Sequence, residues 1–220
     1  MNKFLSRISW IIIVVPFIYL AAVWNRLPEK IATHFDIHGN ADKYSNKNEF
    51  LLFMFVMTAV SILLYFLLPN IYRIDPKKFA AENKSRLKKI AIALVIFLAA
   101  LQCFIIYIGT TGDVKLNVRF LFVLIGVFWA VIGNYMNNIK PNYFAGFRLP
   151  WTLENPENWK QTHHVAGKLW FAGGLLIAAI SLFTPTNVSI VAFIAITLII
   201  TIIPIIYSYN FYRKQKTLNQ

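Results

Sequence analysis

The sequence predicts an all-α, polytopic membrane protein, a six-transmembrane-helix bundle with its N and C termini in the cytoplasm. Three observations carry this prediction. Hydrophobic residues form 58% of the 220 residues and the mean hydropathy is +0.56, above the values of soluble domains. They occur in six continuous blocks of 17 to 20 residues, close to the length that crosses a bilayer. Lys and Arg are concentrated in alternate connections between these blocks.

The first two apolar runs, 8–24 and 50–68, predict an N-terminal helical hairpin over residues 1–69 with an outer loop at 25–48. The first run follows a short basic start, an order that also occurs in signal peptides. A retained anchor is favoured, because the chain that follows is itself membrane-bound. A basic cytoplasmic loop is predicted next, over 70–89.

Residues 90–220 are predicted to form a four-helix region with apolar runs at 90–108, 118–135, 165–183 and 188–207. A cytoplasmic signature segment, 138–168, separates the middle two runs. It mixes aromatic and cationic side chains, as is typical of a membrane surface. Pro150 and Pro156 forbid one continuous helix there. In the next run the adjacent Gly173 and Gly174 indicate a close contact between helices.

The distribution of positive charge predicts the orientation. With a cytoplasmic N-terminus, sixteen of the 22 Lys and Arg residues lie on the inner side and six on the outer side. The opposite orientation inverts this ratio. In a soluble protein the net charge of +13 would favour nucleic acid as a partner. Here membrane lipids explain it, since a basic inner face attracts anionic headgroups, and no direct nucleic-acid partner is predicted.

The outer loop contains a candidate metal site. His34, Asp36 and His38, with Asp42 nearby, place imidazoles and carboxylates at alternate positions, and an extended chain would bring these to one side. No HExxH or other recognised spacing is present. Asp36 followed by Gly39 is also ordinary turn chemistry. We therefore predict no cofactor and no metal, and keep this set as the alternative.

An enzyme or small-molecule transporter is the competing class of function. His163, with the carboxylates of Glu154 and Glu157 nearby, could supply a general base, and His164 adjoins it. However, the sequence has no GxSxG, no HExxH and no carboxylate pair within an apolar run. A transporter usually needs ionisable groups at bilayer depth, which are scarce here. A non-enzymatic membrane protein is therefore favoured.

Two stretches resemble a known family. The first is the signature segment, which reads N-x-x-x-G-x-R-x-P-W-T-L and continues to a Trp and a Thr-His pair: Asn142, Gly146, Arg148, Pro150, Trp151, Thr152, Leu153, Trp159, Thr162 and His163. It is similar to the signature of the SdpI-type immunity proteins. Most members carry Ile-Arg-Thr where this chain has Phe147, Arg148 and Leu149. The outer loop resembles the small domain of unknown function that often precedes that signature, through Trp24, Leu27, Pro28, Thr33, His34, Phe35 and Gly39.

The resemblance implies a multi-pass protein of the bacterial cytoplasmic membrane that protects the cell against a secreted, membrane-active antimicrobial peptide. It also implies signalling, in which a transcriptional repressor is drawn to the membrane. We expect the outer loop from His34 to Tyr44, with His34, Asp36 and His38 as its candidate binding residues, to meet the peptide or to shield the bilayer. The signature would brace the helices or bind a cytoplasmic partner, and its candidate binding residues are Asn142, Gly146, Arg148, Pro150, Trp151, Trp159 and His163. Among these, Arg148 is predicted to bind a phosphate or carboxylate.

Overall fold

The described part of the chain contains six helices long and apolar enough to cross a membrane, as predicted. The computed structural model describes residues 3–35, 40–77, 80–111 and 118–218. The long helices are α1 (Lys3–Val23), α2 (Lys47–Asn70), α3 (Lys84–Thr111), α4 (Val118–Met136), α6 (Pro156–Phe183) and α7 (Thr186–Leu218), and α5 (Pro150–Glu154) is a single short turn. Short 3₁₀ helices lie at Trp24–Arg26, Ile71–Arg73 and Ala80–Asn83.

The outer loop contains a β-hairpin that the sequence analysis did not predict. Strands β1 (Lys30–Phe35) and β2 (Ala41–Asn46) pair antiparallel, and residues 36–39 between them lie outside the described residues. Ile31 of β1 is fully buried against Phe50 of α2 and Ile106 of α3, so the hairpin is anchored in the apolar core. Too few apolar residues alternate along these short, mostly exposed strands to produce a clear period-two pattern.

Helices α4 and α6 approach each other through glycines. A Cβ at Gly174 of α6 would lie 2.4 Å from the carbonyl oxygen of Gly126, and one at Gly133 of α4 would lie 2.4 Å from the nitrogen of Phe171. Gly173 faces α7 instead, where a Cβ would lie 2.6 Å from the side chain of Ile200. The close contact predicted for the glycine pair is confirmed, and it positions α6 between α4 and α7.

Helix α6 begins nine residues before the predicted fifth apolar run. Pro156 occupies its first turn, where the missing N–H costs no hydrogen bond. The side chain of Asn155 caps the helix by accepting from the backbone N–H groups of Glu157 and Asn158. As a result the second half of the signature is helical, and only the part before residue 156 is a connecting loop with the turn α5.

The connections lie at two opposite ends of the bundle. At the signature end, made of residues 71–83, 137–155 and 208–218, the loop residue Asn83 bonds the main chain of Lys140, and Asn155 bonds Gln215 of α7. The hairpin end holds the two strands and the turn at 184–185. This grouping agrees with the predicted alternation of the connections. Which side of the membrane each end faces stays a prediction.

Candidate functional site

Asn142 folds the loop that opens the signature. Its side-chain oxygen accepts hydrogen bonds from the backbone N–H groups of Phe144 and Ala145, at 2.9 and 2.7 Å. Its amide nitrogen donates to the carbonyl oxygens of Lys140 and Ala145, at 2.9 and 3.2 Å. The side chain is 2% exposed, so burial of the amide is compensated by four hydrogen bonds. Asn142 is therefore committed to the loop, with no donor left for a ligand.

Gly146 and His163 fit against each other at the centre of the signature. Gly146 has φ +106°, a conformation that L side chains rarely adopt, and a Cβ there would lie only 2.1 Å from Nε2 of His163. The backbone N–H of Phe147 donates to that Nε2 at 3.0 Å. Because a backbone N–H only donates, Nε2 holds no proton, and Nδ1 must donate to the carbonyl oxygen of Trp159 at 2.8 Å.

This arrangement leaves no free nitrogen on His163. The residue is fully buried, and both ring nitrogens bond the backbone, which is what a structural, neutral imidazole does. A general base needs a lone pair within reach of a substrate. The ring of Trp159 stacks on His163, with centroids 4.0 Å apart, and its Nε1–H donates to the carbonyl oxygen of Ile139 at 2.7 Å. The pair joins α6 to the loop.

Trp151 connects the signature to α7. Its Nε1–H donates to the hydroxyl oxygen of Ser208 at 3.0 Å, and its ring contacts those of Tyr209 and Tyr212. Pro150 starts the turn that carries it, again in the first helical turn. These contacts make Trp151 a link between α5 and the C-terminal helix.

Arg148 is the charged signature residue that remains accessible. It is exposed, and its Nη1 donates to the carbonyl oxygen of Tyr143 at 2.6 Å, which aims the guanidinium along the surface. It makes no ion pair with any described acidic residue. Asp75 accepts from the N–H of Tyr143, and Lys77 donates to the carbonyl oxygen of Leu153 at 2.6 Å. The loop before α3 is therefore joined to the signature by hydrogen bonds of Asp75 and Lys77, and Arg148 stays exposed.

The remaining histidines lie apart from this network. His164 is half-buried on α6 and its Nδ1 lies 2.7 Å from Oδ1 of Asn137. At the hairpin end, Nδ1 of His34 lies 2.5 Å from Oδ1 of Asp42, while Asp36 and His38 fall outside the described residues. Within the described ranges, no three His, Cys, Asp or Glu side chains are close enough to hold a metal ion.

The sequence analysis missed several polar residues that hold the site together. Asn158 is fully buried; its amide donates to the carbonyl oxygen of Ser208 at 3.0 Å and its oxygen accepts from Thr162 at 2.9 Å. Asn83 and Asp75 reach the signature from a loop about sixty residues earlier in the chain. No local pattern distinguishes a buried asparagine of this kind from one on the surface.

Comparison with known proteins agrees with the two resemblances. The model of the SdpI/YfhL protein family matches residues 138–208, which include the whole signature, and a domain of unknown function, DUF1648, matches residues 11–59. Over residues 138–208 the chain is therefore similar to the SdpI/YfhL protein family. The chain is 28% identical over 207 residues to the Immunity protein SdpI of Bacillus subtilis (strain 168), and the match covers 94% of this chain and 95% of that protein. No solved structure matches it.

Proposed function

We propose that this protein protects the cell against a secreted, membrane-active antimicrobial peptide, without catalysing a reaction. The observation that carries the proposal is the similarity to an immunity protein over 94% of the chain, together with the match of residues 138–208 to the SdpI/YfhL family model. The burial of His163 with both nitrogens bonded supports a non-enzymatic role. The proposed location is the bacterial cytoplasmic membrane, with the signature end inside.

The hairpin end is the proposed contact for the peptide. Beneath the hairpin lies a cavity of about 320 Å³, lined mostly by apolar side chains from β1 and from helices α2, α3 and α4, among them Phe35, Phe53, Phe104 and Leu121. A membrane-active peptide carries apolar side chains that suit such a lining. Ala32→Phe should fill the cavity and lower protection. Asn48→Phe adds the same ring at an exposed position outside it and should leave protection intact.

Deletion of the gene tests the proposal directly. The deletion strain, challenged with supernatant from its own wild-type culture and with a panel of membrane-active peptides, should lose viability and membrane potential. Re-expression of the full chain should restore both. Equal survival of the deletion and wild-type strains against every challenge would contradict a protective role.

The signature end is the proposed site of signalling, where a transcriptional repressor would be held at the membrane. The exposed guanidinium of Arg148 supports this, since a guanidinium can form bidentate hydrogen bonds with a carboxylate or phosphate. Arg148→Ala should reduce both protection and capture of a DNA-binding protein at normal membrane abundance. Arg148→Lys, which keeps only a point charge, should restore them in part. Wild-type behaviour of Arg148→Ala would remove Arg148 from the proposal.

His164 gives the cleaner test of the enzymatic alternative. A substitution of His163 would disturb the scaffold whatever the function, because two backbone groups depend on its ring. His164 is half-buried and has one hydrogen-bond contact, with Asn137. His164→Gln should therefore keep full protection. Loss of protection with normal abundance and thermal stability would favour chemistry at this position.

A further inference from the structure

A cleft of about 620 Å³ opens at the signature end, beside the network described above. It lies between α3, the turn at 137–141 and the first turns of α6. Arg86, Lys140 and Lys160 bring permanent positive charge to its lining, and the buried ring of Trp159 contributes an apolar part. None of these three cations is among the motif residues that carry the resemblance, and the proposed function makes no use of this cavity.

The charge of the cleft is unbalanced. Glu157 is the acidic residue among the described lining residues, and its carboxylate already accepts a hydrogen bond from Gln161 at 2.6 Å. Glu82 lies nearby, 3.8 Å from Nζ of Lys140, but both side chains are about half exposed, so this pair is weak. Three cations against one lining carboxylate attract an anion, and the half-buried Arg86 guanidinium offers paired donors.

The wall that carries Lys140 is held rigidly. Asn83 accepts from the N–H of Lys140 at 2.8 Å and donates to its carbonyl oxygen at 3.0 Å, and Asn142 donates to the same oxygen at 2.9 Å. The indole of Trp159 holds the neighbouring carbonyl group of Ile139. Because the main chain of this turn is fixed before any ligand arrives, little conformational entropy is lost on binding.

The cleft lies at the depth of lipid headgroups. Helix α6 has 28 residues and is about 42 Å long, about 12 Å more than the hydrocarbon core of a bilayer. At its far end only two residues separate it from α7, so the excess falls at the near end. The first nine residues of α6, 156–164, include Glu157, Lys160 and Gln161 and are the most polar part of the helix. These residues form one side of the cleft.

We propose that this cleft binds the phosphodiester headgroup of an anionic phospholipid in the leaflet at the signature end. The phosphate would lie among Arg86, Lys140 and Lys160. The acyl chains would extend along the apolar surface of the bundle. This differs from general attraction of a basic face to anionic lipid, because it depends on particular cations and on a rigid wall.

Binding of defined lipids to the full-length protein tests the proposal. The purified protein in neutral detergent is titrated with phosphatidylglycerol or phosphatidylcholine, and bound lipid is counted by native mass spectrometry. Lys140→Gln with Lys160→Gln should weaken phosphatidylglycerol binding about 25-fold, since each removed cation lowers affinity about fivefold. The matched control, Arg213→Gln with Lys214→Gln, removes the same charge from the exposed tail at the same end and should change binding less than threefold.

A gain of affinity provides a second test that misfolding cannot imitate. Glu157→Gln keeps the side-chain oxygen that accepts from Gln161 but removes the opposing charge, so it should strengthen phosphatidylglycerol binding about fivefold. Equal loss in the cleft and tail double variants, or no change in Glu157→Gln, would overturn the proposal. So would tight binding of soluble glycerol phosphate without lipid, which would identify a free phosphate compound as the ligand. Lipid binding by a protein that gives no protection would refute only the proposed immunity function.

Discussion

Gly146→Ala should strongly destabilise the protein through a contact with one histidine. The new methyl group would lie 2.1 Å from Nε2 of His163, far inside van der Waals contact, and the backbone there has φ +106°. His163 cannot retreat without losing its bond from the N–H of Phe147 and its stack on Trp159. The substitution therefore combines backbone strain with displacement of a buried ring.

The two costs can be sized separately. Holding a non-glycine residue in this region of φ costs about 2 kcal/mol. Displacing the imidazole leaves the Phe147 N–H without its partner, which costs about 2 kcal/mol more. We expect the free energy of unfolding to fall by about 4 kcal/mol in the wild-type background. In a His163→Ala background the clash is absent, so Gly146→Ala should cost only the backbone part, about 2 kcal/mol.

Reversible unfolding in mixed detergent micelles, followed by tryptophan fluorescence, measures all four members of this cycle. A coupling of about 2 kcal/mol between the two positions is the expected result. Additive costs would mean that the methyl group does not displace His163. The close fit of Gly146 on the imidazole would then be wrong, and with it the structural role assigned to the signature histidine.

Two further predictions concern the helix contacts. Trp151→Phe and Ser208→Ala should each lower stability by about 1 kcal/mol, and the double variant by little more, because both remove the hydrogen bond that the two side chains share. Additive losses in the same unfolding assay would exclude that bond. Gly174→Ala should lower the thermal midpoint more than Gly173→Ala, since the first methyl meets backbone atoms of α4 and the second meets the side chain of Ile200, which can move without displacing a helix. The reverse order would contradict the described packing of α4 on α6.

The six helices could be predicted because hydropathy alone marks a membrane span. The true start of α6 could not, since its first residues, from Pro156 to His164, are polar and resemble a loop. Hydropathy reports the part of a helix that lies in lipid, whereas the helix itself starts at its N-cap. The start of α6 could have been predicted from its N-cap, because Asn followed by Pro is a common sequence at the beginning of a helix, as at Asn155 and Pro156.

The signature could be recognised from the sequence, but the roles of its residues could not. Asn142, Gly146 and His163 suggested binding, because conspicuous polar and glycine residues often mark ligand sites. In the structure Asn142 and His163 bond backbone groups of nearby residues, and Gly146 leaves room for the imidazole. Asn83, which supports the same loop, lies 57 residues before the Lys140 that it bonds. Spacing along the chain carries no information about such pairings, so a recognised motif identifies the region and leaves its chemistry open.

Labelling of single cysteines in intact cells tests the central claim most directly, that the hairpin end faces outward and the signature end inward. Cys103 is the sole native cysteine, so Cys103→Ser gives a clean background. Tyr44→Cys on the hairpin and Glu154→Cys at the end of α5 place one exposed thiol at each end. A membrane-impermeant maleimide should label position 44 in intact cells and position 154 only after permeabilisation. Labelling of position 154 in intact cells would contradict the predicted topology.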